Sequence, residues 1–225
     1  MNAPRRAVEG VPATPAASPF ADLWDYRCRI AELYRGVRES NGLGLAAAAQ
    51  ACREFRARKD KLFAAHPQSA LDEAQRRVFR GLDYFGHDPT LRFTALLDAD
   101  VEPEVLEFQL SADGVARARR FGRVRFCVQD HDCSLSLFWL LGYGGCVFLP
   151  FRDTTSGQET YGGGRYLLDT IKHADLGRVD AGVVIDFNYA YNPSCAYNPR
   201  WVCPPTPREN FIDLPICAGE RAFVG

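Results

Sequence analysis

The chain has 225 residues, of which 47% are hydrophobic, and its 27 Lys and Arg nearly balance its 28 Asp and Glu. That is enough apolar content to bury one sizeable core, and the even charge gives no sequence-wide reason to bind nucleic acid or an anionic membrane. No apolar run approaches the ~18 residues of a membrane span, and Met1-Asn2-Ala3-Pro4-Arg5-Arg6 lacks the apolar stretch of a secretory signal. The expected location is therefore the cytoplasm, where the eight cysteines should be thiols.

Residues 1–19 are rich in Pro and Ala without periodicity, which predicts a disordered tail. Leu23, Tyr26, Ile30, Leu33 and Val37 then step by three and four, the pattern of an amphipathic helix. Asn41-Gly42-Leu43-Gly44 stops it. A second helix is expected over 45–66, with Cys52, Phe55, Leu62 and Phe63 on its apolar side and Pro67 at its end. Ser69 can cap a short third helix reaching Phe79. Together these make a helical arm over 20–80.

After Gly81 the period changes to two. Strands are expected over 91–99, 105–111, 115–119, 122–129, 133–141, 146–151, 165–169 and 182–189, with a last one within 211–217. Ala112-Asp113-Gly114 and Asp130-His131-Asp132 supply hairpin turns. Many short strands with few helices between them predict a mainly β domain over 81–225, an antiparallel sandwich or barrel. Arg117, Arg119, Arg120, Arg123 and Arg125 read as the solvated side of one hairpin. Cys28, Cys52, Cys127, Cys146 and Cys217 read as small buried hydrophobes.

Polar and aromatic residues concentrate in two stretches. One runs from Pro150-Phe151-Arg152-Asp153 to Glu159-Thr160-Tyr161-Gly162-Gly163-Gly164-Arg165-Tyr166. The other runs from Asp186-Phe187-Asn188 through Tyr191-Asn192-Pro193-Ser194-Cys195-Ala196-Tyr197 to Cys203-Pro204 and Glu209-Asn210. In these two stretches the chain resembles a bacterial and archaeal protein family of unknown function. The resemblance spans roughly residues 50–220, including Arg58-Lys59-Asp60 and Gly81-Leu82-Asp83-Tyr84-Phe85. It departs at Pro204-Pro205-Thr206, and it implies no activity.

The residues themselves leave several chemistries open. The three glycines allow close backbone approach, either at a corner between strands or at a ligand-facing loop. They do not form a phosphate loop, since no Lys-Ser/Thr and helix follow. Arg165 could clamp a carboxylate or pair with Asp153 or Glu159. Asp186 and Asn188 share one strand face, turned to solvent or to a polar cavity. For Cys195 and Cys203 a zinc site lacks a histidine and the usual spacing, a disulfide is disfavoured by compartment, and a nucleophilic Cys195 would need a base. Packing of a Pro-rich loop is the simplest use of both.

The expectation is a small-molecule pocket between the two loops, in a metal-independent enzyme of specialised, biosynthetic metabolism without a cofactor. Asp186, Glu159, Tyr161 and Cys195 would be its catalytic residues. Arg165, Tyr166, Asn188, Tyr191, Asn192 and Gly163 would hold the ligand. The alternative is a non-catalytic module whose polar loops only satisfy one another. The N-terminal helices could also join two copies into a homodimer.

Overall fold

The computed structural model describes residues 18–109 and 114–224. The expected N-terminal tail and the 112–114 turn therefore lie wholly or partly outside the described residues. Helices α1 (Pro19–Glu39) and α2 (Leu45–Ala65) pair with each other. Gly42 and Gly44, with φ of 89° and 87°, turn the chain between them in a conformation that suits glycine. The short α3 (Glu73–Val78) is capped by Asp72 rather than by Ser69. Asp72 accepts from Gln75 N at 2.8 Å while the Gln75 side chain accepts from Asp72 N at 2.9 Å, a reciprocal capping box. Ser69 instead turns its hydroxyl to Leu71 N.

The remainder is one curved, mostly antiparallel half-barrel sheet. Its strands are β1 (Arg92–Asp98), β2 (Val105–Gln109), β3 (Val115–Val128), β4 (His131–Leu140) and β5 (Cys146–Asp153), followed by β6 (Arg165–Asp169), β7 (Arg178–Val179), β8 (Gly182–Asp186) and β9 (Phe211–Ile212). The order is β6-β5-β4-β3-β1-β8-β7, with β2 added to β3 and β9 lying parallel to β5.

The two expected runs at 115–119 and 122–129 form a single strand interrupted by a bulge. Arg120 pairs with Phe138 and Gly122 with Leu137, so Phe121 is the extra residue. A bulge reverses which side chains face which side. Ala118 accordingly packs with Phe108, Phe138 and Phe148 on one face, whereas Val124, Phe126 and Val128 join the main core on the other. The arginine run is divided in the same way. Arg117 and Arg119 flank Trp139 on one face, and Arg123 and Arg125 sit opposite Ser136 and Ser134 on the other. Arg120 is not a solvated residue: it bridges Glu104 at 2.7 Å and Glu209 at 2.9 Å.

The main core runs without a break from Leu33, Tyr34 and Val37 of α1 and Cys52, Phe55 and Leu62 of α2 into Leu135, Leu149, Ile185 and Phe187 of the β domain. Polar contacts fix this junction. Arg38 donates to Asp175 O at 2.7 Å, and Arg56 donates to Phe85 O at 2.8 Å. Among the cysteines expected to be buried, Cys52 and Cys146 are, but Cys28, Cys127 and Cys217 are exposed. Cys127 occupies the outward position between buried Phe126 and Val128, as strand alternation requires.

Candidate functional site

Most of the polar residues in the two stretches hold the fold together. Arg165 is fully buried, and its Nη2 meets Asp153 Oδ2 at 2.5 Å and Ile216 O at 2.9 Å. Its Nη1 donates to Ala218 O and, at 3.2 Å, to Glu220 O. Burial works against the guanidinium charge, and Asp153 supports it. The ligand clamp expected of Arg165 is thus a brace for residues 216–220. Asp153 also caps its own turn, accepting from Thr155 N at 2.7 Å.

Asp186 and Asn188 do not share a strand face, because the strand ends at Asp186 and Phe187–Tyr189 turns as a 3-10 helix. Asp186 Oδ1 accepts from Asn188 N at 3.0 Å and from its side chain at 2.9 Å. Burial raises the Asp186 carboxyl above its ordinary value, against the pull of those two hydrogen bonds and of Arg92. Asn188 also exchanges two hydrogen bonds with the Asp88 backbone, at 2.8 and 2.7 Å. Tyr166 directs its hydroxyl to Pro204 O. Glu159 lies at the surface, paired with Arg221 at 2.9 Å. Gly163 and Gly164 make a close corner: Gly164 has φ of +95°, and a Cβ there would lie 2.6 Å from Phe151 O.

Asn210 does comparable work. Strands β4 and β5 pair only between Phe138 and Leu140 on the β4 side, so their backbones part before Ser136 and Pro150. The Asn210 amide bridges that gap, accepting from Ser136 N at 2.8 Å and donating to Ser136 O at 2.9 Å and Pro150 O at 2.7 Å. It satisfies backbone groups that would otherwise be buried without partners.

The two stretches do meet, since Tyr161 Oη lies 3.7 Å from Cys195 Sγ and Thr206 donates to Gly163 O at 3.1 Å. The cavity lies elsewhere. A void of about 260 Å³ opens between the helical arm and the 191–203 loop. Its walls are Leu23, Tyr26, Ile30 and Tyr34 of α1, Phe55, Lys59 and Phe63 of α2, and Tyr191, Asn192, Tyr197 and Cys203 of the loop. Packed interiors leave few gaps larger than a water molecule. Edge-to-face ring pairs stiffen the walls, with centroids 5.1 Å apart for Tyr34 and Phe55 and 5.2 Å for Phe63 and Tyr197.

A buried acid lies against this wall. Glu220 Oε1 meets Lys59 Nζ at 2.5 Å, and its Oε2 accepts from Asn192 N at 2.8 Å and from the Tyr197 hydroxyl. The Lys59 ammonium also sits 4.9 Å from the centre of the Tyr191 ring. Tyr191 Oη and Asn192 Oδ1 are buried without a partner among the described residues. Of the residues expected to form a site, only Tyr191 and Asn192 line the cavity; Cys195 lies just behind its Cys203 wall. Lys59, Glu220, Tyr34 and Tyr197 were not among the expected site residues. The α1 stripe signalled a buried face, but a stripe reads the same whether it covers a sheet or a void.

These features define a curved antiparallel β domain with a helical flank and a partly open cavity between them. The chain belongs to the protein family of unknown function DUF1684, which matches residues 77–221. That match contains both polar stretches and begins after α2, later than the resemblance read from the sequence. A similar solved structure is the solution NMR structure of an uncharacterized protein from Haloarcula marismortui, 34% identical, with a TM-score of 0.54 over 75% of this chain and 91% of that one. Among curated proteins none matches. Among the described residues no helix is long and apolar enough to cross a membrane, and no cluster of three His, Cys, Asp or Glu is placed to hold a metal ion.

Proposed function

We propose that this chain is a small-molecule-binding protein whose ligand occupies the cavity between α1, α2 and the 191–203 loop. The observation that carries this reading is an aromatic-walled void of about 260 Å³ next to a buried Lys59–Glu220 pair. Binding pockets combine such apolar walls with a few fixed polar groups. The lining favours a flat, largely apolar guest. Exposed Arg27 and half-buried Lys172 border the cavity and suit an anionic group at its rim. The acid–base groups in its wall include Lys59, Tyr197 and the unpartnered Tyr191 hydroxyl, with Glu220 behind them, so an enzymatic role would fall to these rather than to Asp186 or Glu159. The eight cysteines, none disulfide-bonded among the described residues, fit a reducing compartment such as the cytoplasm.

The aromatic anionic dye anilinonaphthalene sulfonate tests the pocket. Saturable binding of one dye per chain is expected, weakened about tenfold or more by Ile30→Trp, which fills the void from the α1 side, a change worth about 1.4 kcal/mol. A thermal melt confirms that the variant is folded. Absence of saturable binding, or equal binding by a folded Ile30→Trp chain, removes the reading. A homodimer through the N-terminal helices is a separate proposal, supported by Phe20 and Trp24, one turn apart on α1 and 82% and 72% exposed. Sedimentation at micromolar concentration with the mass of one chain would dismiss it.

A further inference from the structure

Cys195 and Cys203 are brought together at the edge of the cavity, on the side facing Tyr161. The Cys195 backbone N–H donates to Cys203 Sγ at 3.4 Å, and the Tyr161 hydroxyl lies 3.7 Å from Cys195 Sγ. The loop between the two cysteines is tied down on the helical arm. Trp201 Nε1 donates to Ala70 O at 2.8 Å, and Arg200 donates to Ser69 O at 3.2 Å and Leu71 O at 3.1 Å. Cys203 is buried against the void, whereas Cys195 is half-buried.

We propose that Cys195 and Cys203 form a peroxide-oxidisable dithiol, with Cys195 as the attacking sulfur and Cys203 as the resolving one. This site is independent of what fills the cavity. The titratable groups near it are Tyr161, Tyr166, Lys172 and the two thiols. The neighbouring Cys203 thiol stabilises the Cys195 thiolate, joined by the Tyr161 hydroxyl and, more distantly, Lys172, so Cys195 is brought down to about 6 despite its burial. Cys203 moves the opposite way, because the hydrogen bond to Cys195 holds its thiol proton and the site is desolvated, against the pull of the Cys195 N–H. Of the pair, therefore, one sulfur is a thiolate near neutral pH and the other keeps its proton.

The step requires a hydroperoxide as oxidant. The Cys195 thiolate attacks one peroxide oxygen and the O–O bond breaks. The departing oxygen takes a proton and leaves as an alcohol, or as water from hydrogen peroxide, and Cys195 becomes a sulfenic acid. Cys203 then attacks the Cys195 sulfur. Its proton and the sulfenic hydroxyl leave as water, and the S–S bond closes. Two thiols have lost two electrons, and the peroxide has gained them.

The test uses the full, reduced chain treated with hydrogen peroxide near pH 7 and digested with trypsin without reduction. Cleavage after Arg200 separates the cysteines, so a disulfide appears as a cross-link between peptides 179–200 and 201–208. That cross-link is expected, and in Cys203→Ser dimedone should label Cys195 instead. Alkylation of Cys195 by iodoacetamide should rise with a midpoint near 6, as the lowered thiol requires. The proposal fails if peroxide leaves Cys195 and Cys203 as thiols while the exposed Cys28, Cys127 or Cys217 is oxidised. It also fails if Cys195 alkylates with the midpoint of about 8.5 of an ordinary thiol. Both wild-type readouts decide the matter even if Cys203→Ser does not fold.

Discussion

Lys59 Nζ and Glu220 Oε1 lie 2.5 Å apart although 161 residues separate them in the chain. The pair joins the middle of α2 to the last described segment, and both side chains are almost fully buried. Glu220 binds the 191–203 loop as well, through Asn192 N and the Tyr197 hydroxyl. One carboxylate thus joins helix, loop and C-terminal segment beside the cavity.

Removing one member of such a pair leaves the other charge buried without a counter-ion. Lys59→Met should therefore lower stability by about 3–5 kcal/mol. Lys59→Met combined with Glu220→Gln should recover most of that loss, since Gln can still serve Asn192 and Tyr197. Urea unfolding of the two single variants and the double variant measures the coupling. Additive losses would show that the pair does not act as a unit.

Asn210 supplies three hydrogen bonds to backbone groups of β4 and β5 and is completely buried. Its replacement by Ala strands those groups, at a cost of about 2–4 kcal/mol if more than one is left unsatisfied. The loss should appear as a lower urea midpoint with an unchanged slope, together with faster amide exchange at Ser136. A change within about 0.5 kcal/mol, the range of ordinary surface substitutions, would mean that the gap closes without the amide.

Asp186 gives a pH signature. Its carboxyl is raised by burial in the folded chain, so the folded state holds the proton more tightly than the unfolded state does. Its contribution is therefore complete below the ordinary carboxylate value and is lost as pH rises from there through the raised folded value. Asp186→Asn removes that loss. Measured by urea unfolding between pH 4 and pH 7, the variant should gain on the wild type as pH increases and then hold a constant difference. A gain in the acid direction would mean that Arg92 and the Asn188 hydrogen bonds outweigh burial.

The strands were legible in the sequence because half-buried strands alternate, and the helices because Leu23, Tyr26, Ile30 and Leu33 recur on one face. The bulge at Phe121 was not legible, since it shows only in the pairing of Arg120 and Gly122 with β4. Asp186 and Asn188 were misplaced for a related reason: alternation was carried two residues past the point where the strand turns into a 3-10 helix. Arg165 was correctly suspected of pairing with Asp153, a partner 12 residues away. Lys59 and Glu220 could not be matched by any local rule. Their charges become informative only when the fold brings distant segments together, and the same holds for a cavity whose walls come from residues 23–70 and 172–203.

The brace made by Arg165 has a consequence for synthesis. Its partner Ala218 follows it by 53 residues, so strand β6 leaves the ribosome well before the carbonyls that will receive its guanidinium. Until they arrive, a cation destined for the interior has no complete setting, and the nascent chain gains by keeping that region open. A chain halted before Ile216 would lack the three carbonyls that receive the guanidinium, and it should expose β6 to proteases more than the full chain does.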